Sequence, residues 1–193
     1  LVVFTSDNGP WFEGSAGELK GGKGQTTDGG FKVPFIARWP RRIRPATRTS
    51  ELITNLDLFP TLLDLAGVSQ PADRAIDGVN IRGVLDGSAT RSPRESFYYY
   101  HYDELQAVRS GPWKYVRHTN RYVWPIPLDD EALPRKLAGK QLGPDRAPLL
   151  YHLGRDAGER YNVIAHHPDV AARLEAQMAA WETQAKANPR GFA

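Results

Sequence analysis

Cysteine is absent from these 193 residues. Disulfide bonds and thiolate metal sites are therefore excluded, and redox chemistry says nothing about the compartment. An imbalance of charge is missing as well. The 25 basic and 22 acidic residues leave a formal net charge of +3, a slight excess that implies neither a nucleic-acid partner nor a membrane surface. No stretch approaches the roughly 18 consecutive apolar residues of a spanning helix, so no membrane span is expected. The opening Leu1-Val2-Val3-Phe4 has neither the basic start nor the length of a signal peptide, and no methionine precedes it. It reads as the inside of a strand, and the chain is expected to be a fragment of a longer polypeptide. Internal repeats are also absent. The 40% hydrophobic content suffices for one domain with a core, or for one domain and a small appendage.

Along the chain, the apolar run Leu1 to Phe4 stops at Thr5-Ser6-Asp7-Asn8-Gly9-Pro10, which is turn chemistry. This predicts a central strand of a parallel sheet ending at a loop, where ligands of open α/β sheets sit. Residues 11 to 30 are glycine-rich and polar, so a long loop follows. Val33 to Trp39 predicts a short strand, and Arg41 to Arg48 a basic surface connection. Leu58, Leu62 and Leu65 recur at helical spacing, with Asp57 as N-cap, Pro60 in the first turn and Gly67 at the C-cap. From about Glu95 the runs Phe97 to Tyr100, Leu105 to Arg109 and Trp113 to Arg117 predict an antiparallel meander turning at Gly111-Pro112. Residues 123 to 148 carry five prolines and are expected to form a long loop before the strand-like Leu149 to Leu153. A last amphipathic helix starts at Pro168 and shows Val170, Leu174, Gln177/Met178 and Trp181 on one face.

Two constellations carry chemistry. In Asp7-Asn8-Gly9, a carboxylate and an amide oxygen stand side by side at a strand end. They are suitable donors for a hard cation such as Ca²⁺ or Mg²⁺, although taken locally the plainer reading is a turn whose side chains bond its own backbone. Two donors cannot complete a cation site. In Gly21-Gly22-Lys23-Gly24-Gln25-Thr26-Thr27, the glycines admit a ligand close to the backbone and the lysine offers a point charge to an oxyanion. A phosphate loop is a competing pattern, since Gly17, Gly22 and Lys23 nearly match it. Gly24 stands where its hydroxyl residue belongs, and the preceding strand lies too far upstream. A flexible glycine loop with a solvated lysine is the plainest alternative.

In order, the motifs are Phe4-Thr5-Ser6-Asp7-Asn8-Gly9-Pro10, Gly22-Lys23-Gly24 with Thr26-Thr27-Asp28-Gly29-Gly30, Val33-Pro34-Phe35 and Trp39-Pro40. Asp57-Leu58-Phe59-Pro60-Thr61-Leu62, Ala107 to Lys114 and Leu150-Tyr151 through Glu159 follow. Together they resemble the C-terminal part of sulfatases of the arylsulfatase type, in the alkaline-phosphatase-like superfamily, over essentially the whole chain.

The resemblance implies an α/β fold. Residues 1–92 would be the C-terminal part of a doubly wound catalytic-domain sheet, and residues 93–193 a small antiparallel sheet packed by a terminal helix. It implies that Asp7 and Asn8 are two ligands of one divalent metal, most commonly Ca²⁺, with Mg²⁺ as the alternative. It implies that Lys23 binds substrate and acts in catalysis, contacting the sulfate and the ester oxygen where charge develops. The partner would be a sulfated small molecule or glycan, and a periplasmic, secreted or lysosomal location would fit.

The family's nucleophile is a formylglycine made from the Cys or Ser of a Cys/Ser-x-Pro-x-Arg motif, and no residue here heads that pattern. Ser92-Pro93-Arg94 lacks the spacing. The nucleophile and two acidic metal ligands are expected in an N-terminal part of the same polypeptide, and this segment alone should be inactive. A phosphatase or phosphonate hydrolase of the superfamily, or a non-catalytic sulfated-glycan binder, are the alternative functions. His101, His118 and His152 read as packing or surface residues, Arg41-Arg42-Ile43-Arg44 as a solvated rim, and Tyr98 to Tyr100 as strand packing.

Overall fold

The computed structural model describes residues 1–11, 13–119 and 148–187. The proline-rich stretch expected to be a loop therefore falls almost wholly outside the described residues. The described chain forms two compact units interleaved in sequence. One holds Leu1–Asp7, Val33–Phe97 and the chain from Trp181 on; the other holds Asn8–Lys32 and Tyr98–Ala180.

In the first unit, β1 (Val2–Thr5) pairs antiparallel with β2 (Phe35–Arg38), Val3 opposite Ala37 and Thr5 opposite Phe35. The parallel neighbours expected for β1 do not occur among the described residues. An apolar run signals burial but not the direction of the adjoining strand. Nor are β1 and β2 buried: Val2 is 61%, Phe4 63% and Ile36 62% exposed.

Helix α2 spans Leu58–Leu65. It ends as the glycine predicts: Gly67 takes φ 68°, its N–H donates to the Asp64 carbonyl, and that of Val68 reaches back to Leu63 at 2.9 Å. This double bond pattern satisfies carbonyls that the helix end leaves open.

At the other end the sequence reading needs correction. Asp57 occupies the N-cap position, but its side chain makes no capping bond to α2. Its fully buried carboxylate accepts from the Thr54 N–H at 2.7 Å and the Val79 N–H at 2.9 Å, and pairs with the Arg94 guanidinium, Nε lying 2.9 Å from Oδ2. With Thr54 it closes a capping box on the single turn Asn55–Asp57 rather than on α2, and it ties three stretches of the unit together.

The second unit is built on a four-stranded sheet in the order β3 (Ser96–His101), β4 (Glu104–Ser110), β5 (Trp113–Val116), β6 (Leu149–His152). β5 runs antiparallel to both β4 and β6, with Val108 opposite Tyr115 and Tyr115 opposite Leu150. The meander, its Gly111-Pro112 turn and the late strand are therefore where the apolar runs placed them. Helix α4 (Pro168–Ala187) buries Ala171, Leu174 and Met178. Those positions follow the helical repeat, shifted by one residue at the start from the expected Val170.

The core consists of these side chains with Leu105, Ala107, Val108, Val116 and Leu150. The sequence class is thus observed as an α/β chain with a small two-stranded sheet, a four-stranded antiparallel sheet and a C-terminal helix. Two one-turn helices, α1 (Asp28–Phe31) and α3 (Arg82–Asp86), complete it.

Candidate functional site

The glycine-rich segment is a tightly self-bonded loop. The Gly9 N–H donates to the Gly30 carbonyl at 2.8 Å, and the Lys23 N–H to the Pro10 carbonyl at 2.9 Å. Inside it, Gln25 folds back so that its amide oxygen accepts from the Gly22 N–H at 3.2 Å, and the Gly29 N–H donates to the Lys20 carbonyl at 2.9 Å. A Cβ on Gly29 would overlap the carbonyl oxygens of Lys20 and Gly21, so only glycine lets the two arms of the loop approach this closely.

These bonds bring the backbones of two expected site residues into one loop. Lys23 stands one backbone hydrogen bond from Pro10, and Pro10 is two residues from Asn8, so Asn8 and Lys23 belong to one loop cluster. The Lys23 side chain is exposed, its Nζ 5.8 Å from the centre of the Trp11 ring, close enough for an ammonium to feel the face of an indole. Asp7 directly precedes Asn8, and its Oδ1 accepts from Ser6 Oγ at 3.3 Å.

As a donor set, Asp7 and Asn8 suit a hard cation in kind, being oxygen donors at an open strand end. They are short in number, because Ca²⁺ takes about six to eight oxygens. Among the described residues no cluster of three or more His, Asp or Glu side chains could hold a metal.

The loop rests on the four-stranded sheet through a buried ionic lattice. Lys114 Nζ lies 3.1 Å from Asp28 Oδ1 and 2.7 Å from Glu159 Oε1, and 3.9 Å from the centre of the Tyr99 ring. The Tyr99 hydroxyl donates to Asp28 Oδ1 at 3.0 Å, and Glu159 Oε2 accepts from the Asp28 N–H at 2.7 Å. Burial pushes the Asp28 carboxyl toward neutrality, but the Lys114 ammonium, the Tyr99 hydroxyl and the charge of Arg109 together outweigh burial, and the net result holds it below the usual carboxylate range. Burial, then the charge of Asp28, pushes the Tyr99 phenol well above its ordinary value. Two further bonds join loop and sheet: Thr26 Oγ1 donates to Gln106 Oε1 at 2.8 Å, and Lys20 Nζ to the Glu159 carbonyl at 3.2 Å.

Sequence reasoning gave Asp28, Lys114 and Glu159 no role, although it quoted the motifs that contain them. One signal was available: a lysine in the middle of an apolar strand, Trp113-Lys114-Tyr115-Val116. Its partners lie 86 and 45 residues away, and no local spacing announces them.

The three histidines make packing and polar contacts. His101 stands edge-on to Tyr102, with ring centres 4.7 Å apart; His118 Nε2 lies 2.8 Å from Glu104 Oε1; His152 packs edge-on against Trp113 at 4.7 Å.

Residues 23–124 match the family described as N-sulphoglucosamine sulphohydrolase, C-terminal, and residues 92–192 match the C-terminal region of aryl-sulfatase. The chain belongs to the sulfatase family.

Among curated relatives it is 37% identical to an arylsulfatase of Hemicentrotus pulcherrimus over 88% of this chain and 33% of that protein. It is 39% identical to human arylsulfatase A over 85% of this chain and 33% of that protein. An N-acetylgalactosamine-6-sulfatase of Canis lupus familiaris is 40% identical, over 83% of this chain and 33% of that protein. The chain thus spans about a third of the length of these relatives.

A solved structure described under glycosaminoglycan metabolism by Bacteroides thetaiotaomicron superposes with a TM-score of 0.73 at 30% identity, over 94% of this chain and 38% of that one. A Pseudoalteromonas sulfatase shares the fold at a TM-score of 0.78 and 24% identity, over 98% of this chain and 38% of that one.

Proposed function

We propose that this chain is the C-terminal part of an enzyme that hydrolyses a sulfate monoester, with Lys23 at the sulfate and Asp7 and Asn8 on a divalent cation. Family membership supports the reaction class. The observation that supports the site is the pair of backbone bonds joining Asn8-Gly9-Pro10 to the Lys23 loop, which keep the Asn8 and Lys23 backbones in one loop.

The ammonium would neutralise charge on the sulfuryl group and on the departing ester oxygen, where it builds in the transition state. A bound cation, Ca²⁺ on this reading, would draw negative charge from a sulfate oxygen. The remaining metal ligands and the formylglycine nucleophile would come from an N-terminal part of the same polypeptide. On the same reading residues 1–92 belong to the catalytic domain and 93–193 form a C-terminal subdomain. The substrate would be a sulfated small molecule or glycan.

The test is turnover of matched aryl sulfates and aryl phosphates by the complete protein, with and without Lys23→Ala. We expect sulfate to be preferred and Lys23→Ala to lower kcat about 10²- to 10³-fold, the range for losing one preorganised oxyanion donor. A preference for phosphate, or unchanged turnover by the variant, contradicts the reading.

A further inference from the structure

Asp28, Lys114 and Glu159 come from three places in the chain and are buried together. Two carboxylates and one ammonium are expensive to desolvate, and an apolar cluster of the same volume would generally serve stability as well or better. What an ionic lattice adds is direction, since its partners are bonded at fixed distances and angles. Glu159 is also held at φ 51°, a conformation that is uncommon for a residue with a side chain and that its surroundings enforce here. The enforcement is visible: Asp156 Oδ2 accepts from the N–H groups of Arg160 and Tyr161, each at 2.8 Å, and curls the chain so that Glu159 points inward.

The lattice grips the glycine loop close to Lys23. Asp28 is five residues after Lys23. The bond from Thr26 to Gln106 takes hold three residues after it, and the bond from Lys20 to the Glu159 carbonyl three residues before it. A lysine side chain has four rotatable bonds, so its ammonium can be aimed only if its Cα is fixed. A misplacement of about 1 Å is enough to cost a reaction two orders of magnitude.

We propose that Lys114 and Glu159 are positioning residues that set where the Lys23 ammonium stands, an inference that rests on the reading of Lys23 as the sulfate contact. Neither touches substrate. Each acts through Asp28 and the loop.

A double-mutant cycle in the complete protein tests this, with kcat and KM measured on an aryl sulfate and folding checked by near-ultraviolet circular dichroism. Lys114→Met and Glu159→Gln should each lower kcat about tenfold or more in an otherwise unchanged protein. Each should change it less than about twofold when Lys23 is already alanine, because the residue they position is gone. Glu159→Gln keeps the volume and an acceptor for the Asp28 N–H, so it carries the test if Lys114→Met does not fold. Losses of equal size in both backgrounds, or full kcat in the single variants, overturn the inference while leaving Lys23 as assigned. Unchanged kcat in Lys23→Ala overturns the assignment of Lys23 and the inference with it.

Discussion

Asp57 and Arg94 show what a single side chain does here. The aspartate is fully buried and the arginine nearly so, and the guanidinium also donates to the Asp77 carbonyl at 2.8 Å. Removing one partner leaves a charge stranded out of water, so Arg94→Met should destabilise the first unit by about 3–5 kcal/mol in urea unfolding. A loss below about 1 kcal/mol would mean that solvent reaches the pair.

Three tyrosines of the second unit make a different prediction. Burial, followed by the charge of Glu175, pushes Tyr115 up to about 12; burial, followed by Glu159 and Asp156, pushes Tyr151 up to about 12; and Tyr99 is displaced upward too. In the unfolded chain these phenols ionise near 10.0. Their raised values therefore stabilise the folded state fully below pH 10 and lose that contribution as the pH climbs toward 12. Absorbance near 295 nm should show these tyrosinates appearing together with loss of structure. Independent ionisation near pH 10 in a folded chain would contradict it.

At the level of elements, what could be read in the residues differed from what could not. The meander was legible because Leu105 to Arg109 and Trp113 to Arg117 are β-prone runs interrupted by Gly111-Pro112, and both the turn and the runs are local properties. Helix α2 was legible through its leucines and Gly67. The partner of β1 was not, since pairing depends on residues thirty or more positions away. Asp57 was misread for the same reason: its N-cap position is local, while Val79 and Arg94 are not. Of the candidate site, the loop and its lysine were visible in composition, but the ionic lattice beneath them was invisible. Helix α4 gives a simple test of packing. Leu174 is fully buried, so Leu174→Ala should lower stability by about 2–5 kcal/mol through lost transfer energy and the cavity left behind.

Across the molecule, large apolar side chains stand exposed in the first unit. Val2, Phe4, Ile36, Leu56, Phe59, Leu62 and Val68 are all about half exposed or more, and β1 and β2 pair only with each other among the described residues. Open strand edges beside exposed apolar side chains favour self-association. On its own the segment should scatter light as an oligomer at micromolar concentration, and Phe4→Lys with Ile36→Lys should reduce that scattering. A dilute monomer without substitutions would contradict this. No described helix is long and apolar enough to cross a membrane.

The anchoring of the glycine loop also has a consequence in time. Asp28 leaves the ribosome long before its acceptor Glu159, 131 residues later. Until that glutamate arrives, the loop has its internal bonds and those to Tyr99, Gln106 and Lys114 but lacks the acceptor of the Asp28 N–H, and contacts that span so much chain form late. A nascent chain arrested before Glu159 should therefore leave the Lys23 peptide open to a protease that the finished protein resists.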